Sequence, residues 1–424
     1  MNNTTQAKSV LCYMDFATHT GFSSVSHNLM DRLLPWFEAQ DIYVHICATN
    51  YLGKPFWYKG KNGGKAYVRA AKDTAKNMKD LWYRDGMLKL LNEGNYDLLW
   101  CINDIPVFSP MMQILSQVRN IYKPQRGHKN FKAVLYTPVD SRCNPEFMND
   151  LDFWDELVTY TEYGKVEIEK HKPIGKWVKT IPHGANKEDF YKIPDFDKAE
   201  ARRKWKLPEN AFLFGNINKN NSRKNMGGTL LAFRYFVDWF NKQKTDGHKQ
   251  EPALYLHCSP TDETGINLYR AAKTLGIENY VHYPTKDEYI KGGAYTLPEM
   301  NEIYNLLDCY VTTTSAEGWG LTITEAMAVE LPIVAPMHTS IKEITEKGSA
   351  CYPVSTLTEH FQIADYENVR LMPDPNDTFC QMMMAYTDVQ LGEFPFGAAY
   401  NDILNVYDWD KIAEQWKSVF EGLI

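Results

Sequence analysis

Two glutamates, Glu317 and Glu325, stand eight positions apart in "TTTSAEGWGLTITEAMAVELPIVAP" (residues 312–336), either side of a Gly-x-Gly turn. The preceding "DCYVTTT" (308–314) reads as a strand, "LTITEAMAVE" is rich in helix formers, and Pro332 opens the next strand. In open α/β sheets, ligands bind where a parallel strand gives way to a helix. Gly318 and Gly320 let the backbone come close to a ligand, and the N–H groups of Gly320, Leu321 and Thr322 would face an anion at the helix N-terminus. A diphosphate suits that geometry. Carboxylates accept hydrogen bonds from hydroxyls, so Glu317 just before the helix and Glu325 inside it would serve a sugar on one side and a ribose on the other. A glutamate near a helix start also complements the dipole with no further role, but the spacing together with paired glycines favours a functional reading.

A second group of residues, "FGNINKNNSRKN" (214–225), leaves a strand and carries Lys219, Arg223 and Lys224 among small polar residues. Cations at the carboxyl end of a strand neutralise a diphosphate leaving group; the plainer reading is a solvated basic turn. In the first half of the chain, Gly21 in "ATHTGFSSVSHN" reads either as a backbone approach point for a phosphate after the first strand or as an ordinary strand-to-helix turn. Asp104 in "CINDIP" and Asp140 in "TPVDSR" follow strands and are candidates for an acceptor hydroxyl, as is His19. Caps after strands account for many such polar residues. His183, His257 and His282 lie on or beside apolar strands and read as hydrogen-bonded core residues. Asp-x-Asp pairs at Asp150/Asp152, Asp195/Asp197 and Asp408/Asp410 do not follow a buried strand in a nucleotide site, so no metal is expected.

Together the two groups resemble glycosyltransferase family 4, the retaining nucleotide-sugar enzymes of GT-B fold. There a Glu, seven residues and a second Glu precede A-M-A, as in "EGWGLTITEAMA", downstream of a basic N-R-N-x-x-R-K loop. "NKNNSRKN" has Lys219 where that loop commonly has Arg, which keeps the charge and loses the bidentate fork. "YTPVDSR", "IPHGANKEDF", "LYLHCSP" and the tryptophan of "YDWDKIAEQW" extend the similarity over nearly the whole chain. The resemblance implies a metal-independent hexosyl- or related transferase, moving a sugar from a nucleotide diphosphate sugar to an acceptor hydroxyl of a glycan, lipid-linked glycan or other molecule. It places Glu325 on the ribose, Lys219 and Lys224 on the diphosphate and Glu317 near the transferred sugar. The donor is a co-substrate, and no cofactor is expected. Transfer to nucleic acid bases, a glycoside phosphorylase or sugar-phosphate synthase on the same fold, and a non-catalytic nucleotide-sugar binding module remain alternatives.

The elements that must hold these residues are short apolar runs alternating with amphipathic stretches, the pattern of parallel sheets covered by helices. Six runs precede residue 185 and five follow residue 209, which predicts an α/β chain of two Rossmann-like halves facing across a cleft. Residues 1–188 read as an acceptor domain and 189–400 as a nucleotide-sugar domain, with a linker near 186–200. Residues 401–424 read as a closing helix crossing back to the first domain. The eight cysteines include no C-x-x-C pair and suit a reducing cytoplasm. No apolar run is long enough to span a membrane, and no signal core precedes a cleavage site. The net charge is −7, yet residues 53–79 carry eight Lys or Arg against one acid, with Phe56, Trp57, Tyr58 and Tyr67 interleaved. That segment reads either as a solvated loop and helix face or as the binding surface for an anionic acceptor, through peripheral membrane or nucleic-acid contact.

Overall fold

A computed structural model of the chain describes residues 7–73, 82–125, 127–128, 130–149, 151–171, 178–243, 250–285, 295–346, 351–362, 366–394, 400 and 405–424. The chain divides into two compact units. The first comprises residues 1–139, 143–184 and 409–424, the second residues 140–142 and 185–408. The breaks therefore fall at Gly184/Ala185 and Asp408/Trp409, against the 188/189 and 400/401 read from the sequence, and a three-residue piece after the sixth strand joins the second unit.

The first unit is an eight-stranded sheet in the order β3-β4-β2-β1-β5-β6-β7-β8. Its strands are β1 (Lys8–Asp15), β2 (Ile42–Thr49), β3 (Phe56–Lys59), β4 (Lys65–Ala70), β5 (Leu98–Ile102), β6 (Lys132–Thr137), β7 (Glu156–Thr159) and β8 (Val178–Thr180). All pairs are parallel except β3 with β4. Central strands such as β5, "LLWCI", are buried at every residue, as expected of a parallel sheet covered on both faces. Helix α1 (Gly21–Ala39) starts where Thr20 Oγ1 accepts from the Ser23 N–H at 3.1 Å, an N-cap of the ordinary kind. The C-terminal helix, Trp409–Glu421, buries Trp416 against Trp100 at 5.0 Å between ring centroids. Its apolar positions at helical spacing follow from that packing.

Strands β3 and β4 lie in the basic segment, which reads from sequence as loop and helix. Alternation explains them: Ala66, Val68 and Ala70 are buried while Lys65 and Trp57 are exposed, a period of two that the interleaved lysines conceal. The turn between them uses Gly63 at φ +101°, a conformation side chains rarely adopt. Residues 74–79 of the segment, with Lys76 and Lys79, are outside the described residues.

The second unit is a six-stranded parallel sheet in the order β11-β10-β9-β12-β13-β14, plus a separate antiparallel pair β15-β16. The strands are β9 (Phe212–Asn216), β10 (Pro252–Leu256), β11 (Val281–His282), β12 (Cys309–Val311), β13 (Ile333–Pro336), β14 (Cys351–Val354), β15 (Thr356–Phe361) and β16 (Val369–Pro373). Helix α2 (Met226–Gln243) follows β9, α3 (Leu297–Leu306) precedes β12, and α4 (Leu321–Ala328) lies between β12 and β13. His183 and His257 are buried and hydrogen-bonded to Tyr136 at 2.7 Å and to Tyr255 at 2.9 Å, and burial holds both imidazoles down to about 3. Both therefore sit in the core as neutral residues.

Candidate active site

Strand β9 ends at Asn216, and the chain must then carry three cations past the end of β12 before α2 begins. Asparagine side chains fix that path. Asn218 donates to Asn216 Oδ1 at 2.8 Å and to the Tyr310 hydroxyl at 3.2 Å, and Asn220 donates to the Ile266 carbonyl at 2.7 Å. Asn221 caps a short turn, Ser222–Lys224, by accepting the Lys224 N–H at 3.0 Å. The polar run after β12 is stitched to this turn. Ser315 N–H and Oγ both donate to the Arg223 carbonyl, at 2.8 and 2.9 Å, and Thr313 Oγ1 donates to the Asn225 carbonyl at 2.8 Å. "TTTS" is thus buried polar chain with its hydrogen bonds met, which is why four hydroxyl side chains can stand there.

These contacts bring Glu317 onto the two cations. Its Oε1 accepts from Lys224 Nζ, its Oε2 accepts from Arg223 Nη1 at 3.2 Å, and only 7% of the residue is exposed. Burial alone would raise the Glu317 carboxyl, but Lys224 and Arg223 hold it at about 2. Burial and the neighbouring Arg223 lower the Lys224 ammonium to about 8. Ser340 Oγ donates to the Glu317 carbonyl at 2.9 Å and fixes the backbone.

Arg223 also reaches Asp140, Nε to Oδ2 at 3.7 Å, and Asp140 pairs through Oδ1 with Arg370 Nη1 at 2.9 Å. Arg370 lies on β16 and is 4% exposed. The five residues Asp140, Arg223, Lys224, Glu317 and Arg370 form one network with a single positive charge in excess. His338 lies beside it, its Nε2 3.2 Å from the Thr314 carbonyl and its imidazole held down to about 4 by burial.

Helix α4 opens on Gly320 at φ +107°, where a Cβ would meet Ile323 at 3.3 Å, so the sharp entry requires glycine. Gly318, Leu321 and Thr322 are half-exposed, and the first helical amides lack intrahelical acceptors by geometry. One turn in, Glu325 Oε2 accepts from the Tyr304 hydroxyl at 2.6 Å. Burial pushes this carboxyl up to about 7, against the pull of that hydrogen bond. The two motif glutamates therefore have opposite characters: one is locked as an anion by cations, the other is poised near neutrality.

The remaining candidates are not members of this network. Lys219 is outside the network, its side chain 61% exposed and its Nζ 3.7 Å from Asp262. Gly21, the exposed first residue of α1, and Asp104, half-buried after β5, belong to the first unit. Among the described residues no group of three or more His, Cys, Asp or Glu is placed to hold a metal. Sequence reasoning missed Arg370, His338 and Tyr304. The residues around Arg370 on its hairpin carry no motif, and Tyr304 is one of 26 tyrosines.

The fold and this site define a class: a chain of GT-B fold whose second unit is similar to glycosyl transferases. Residues 271–364 match the family "Glycosyl transferases group 1". The chain is 25% identical over 197 residues to the UDP-N-acetylglucosamine--peptide N-acetylglucosaminyltransferase GtfA subunit of Streptococcus pneumoniae, covering 46% of this chain and 34% of that relative. It thus spans about a third of the relative's length. Among solved structures it is similar to the sucrose-phosphate synthase of Thermosynechococcus elongatus, with a TM-score of 0.69, 13% identity, and 98% and 99% of the two chains covered. It is also similar to Anabaena HepE in complex with UDP-glucose, with a TM-score of 0.67, 13% identity, and 98% and 100% covered. No described helix is long and apolar enough to cross a membrane.

Proposed function

We propose that the second unit binds a nucleotide diphosphate sugar and that the protein transfers the sugar, with retention, to an acceptor hydroxyl. The observation that carries this reading is the buried Glu317 held between Arg223 and Lys224 at the foot of α4. Amides of Leu321 and Thr322 face the diphosphate, and Lys224 and Arg223 stabilise the charge that develops on it as the glycosidic bond breaks. These cations supply the electrostatic work, which makes the reaction independent of metal. A carboxyl held at about 2 is a weak base, so Glu317 does not take the acceptor proton. The departing phosphate takes it on the same face of the sugar, and Glu317 orders the cations and the sugar. Glu325 accepts from the ribose hydroxyls, with Tyr304 fixing its orientation.

Asp140, engaged with Arg223 and Arg370, orders cations in this scheme, and Asp104 in the first unit meets the acceptor. The basic segment 53–79 supports an anionic acceptor, and the free cysteines support a cytoplasmic site of action. A thermal-shift series with UDP, GDP, ADP, inorganic phosphate and buffer tests donor binding: one nucleoside diphosphate raises the melting temperature, whereas a flat series overturns the reading.

A further inference from the structure

The two faces of the first sheet are finished differently. On one, α1 packs over the strands, with Leu34 against Gly64 and Tyr58 bonded to Asp31. On the other, the apolar cluster of Cys47, Ala71, Met87, Leu90 and Leu91 covers the end of β2. Beyond it, toward the sheet edge, the face presents a row of rings. Centroids are 5.5 Å apart from Tyr96 to His45, 6.3 Å from His45 to Tyr67, and 5.2 Å from Tyr67 to Trp57. Register produces the row: His45 lies opposite Tyr67, and Tyr67 opposite Trp57, on three successive strands. Trp57 is 62% exposed, and Tyr43, two residues before His45 on the same face, is 53% exposed.

Cations share this face. Lys65 Nζ is 5.4 Å from the Trp57 ring centroid and the Arg69 guanidinium 5.9 Å from that of Tyr67, while Lys59 lies directly opposite Lys65. Arg69 Nε is buried without a hydrogen-bond partner among the described residues. Cross-strand ring pairs stabilise an edge by themselves, but two lysines facing each other across a strand pair weaken it. Lys59 blunts an edge strand and Lys65 gains from the Trp57 ring, but the like-charge pair leaves a cost that a polyanion would relieve.

We infer that this face binds single-stranded nucleic acid, with unpaired bases stacking on Trp57 and Tyr67 and phosphates meeting Lys59, Lys65 and Arg69. A duplex keeps its bases stacked on one another, so only an unpaired strand can use the rings. An acidic membrane would match the charge. However, apart from Trp57 the row consists of Tyr and His rings, and it has none of the leucines or phenylalanines with which interfacial elements insert. As the identity of the anionic acceptor this inference rests on the transfer reading. As a binding surface it does not, and a binding assay is blind to catalysis.

The test is fluorescence anisotropy of the full chain with a labelled oligothymidylate of about 20 nucleotides, its annealed duplex, and, by co-sedimentation, phosphatidylcholine/phosphatidylglycerol vesicles, from about 20 to about 200 mM salt. The single strand is expected to bind at least about tenfold tighter than the duplex. Trp57→Ala/Tyr67→Ala should lose about tenfold or more with the salt slope kept, and Lys59→Glu/Lys65→Glu should lose as much with a shallower slope. A single cooperative melting transition and retained nucleoside diphosphate shifts show that both variants fold. Three results would overturn the inference: no oligonucleotide binding at low salt, equal binding of duplex with the ring variant unaffected, or vesicles bound and oligonucleotides not. Binding that persists in a chain unable to turn over any nucleotide sugar would leave this surface standing and the transfer reading fallen.

Discussion

The Glu317 network of the second unit and the ring-bearing face of the first treat charge in opposite ways. In the first case the cations are partly or fully withdrawn from solvent, with Lys224 and Arg223 half-buried and Arg370 buried, and each meets a carboxylate within the fold: Lys224 and Arg223 on Glu317, Arg370 on Asp140. In the second, Lys59 and Lys65 are exposed and face each other. A buried, compensated network costs desolvation and is kept in one geometry, which suits stabilising a brief charge in a transition state. An uncompensated surface waits for its counterion and is read through salt and affinity. The contrast teaches that positive charge alone does not locate chemistry; burial and internal partners separate the two uses.

The largest effect that would break this comparison is at Glu317. Glu317→Gln is expected to lower turnover about 10³-fold while changing nucleotide affinity far less, because the network loses its organising anion. Glu317→Ala should also lower the melting temperature markedly, since removing one partner of a buried ion pair costs about 3–5 kcal/mol. Steady-state kinetics and calorimetry check both. Wild-type turnover in the glutamine variant would remove Glu317 from the reaction.

Lys224→Met comes next, with transfer falling about 10²-fold, the scale of one preorganised charge contact, and EDTA leaving the wild type unaffected. Strong inhibition by EDTA, reversed by manganese, would move the electrostatics from the lysine to a metal.

A smaller effect sharpens the difference between the two glutamates. In the proposed scheme Glu325 accepts ribose hydrogen bonds as a carboxylate, and burial raises its carboxyl to about 7. Nucleotide affinity should therefore decline as pH falls through about 7 by protonation of Glu325, and decline again as pH rises through about 8 by loss of the Lys224 proton; Glu325→Gln should flatten the acid limb alone and bind about tenfold more weakly near pH 8. Titration calorimetry at several pH values reads this directly. A flat wild-type profile would detach Glu325 from the nucleotide.

The sequence carried most of the fold because eleven of the strands fall within the short apolar runs visible in it, and the Glu317–Glu325 spacing together with the Gly318/Gly320 turn located the helix start. It carried less where tertiary contacts decide. β3 and β4 are concealed by lysines on the exposed half of an alternating pattern. Arg370 enters the site from a hairpin whose position no local signal specifies. Lys219 and Lys224, alike in the motif, are separated by four residues of asparagine-braced loop that exposes one and half-buries the other. Lys219→Ala is accordingly expected to cost about tenfold or less, the smallest of these effects.

The most direct measurement of the central claim is release of nucleotide from a panel of nucleotide diphosphate sugars without acceptor, comparing the wild type with Lys224→Met. The account predicts slow hydrolysis of one donor by the wild type and its loss, by about 10²-fold, in the variant. Hydrolysis of no donor, or equal rates for both proteins, would contradict it.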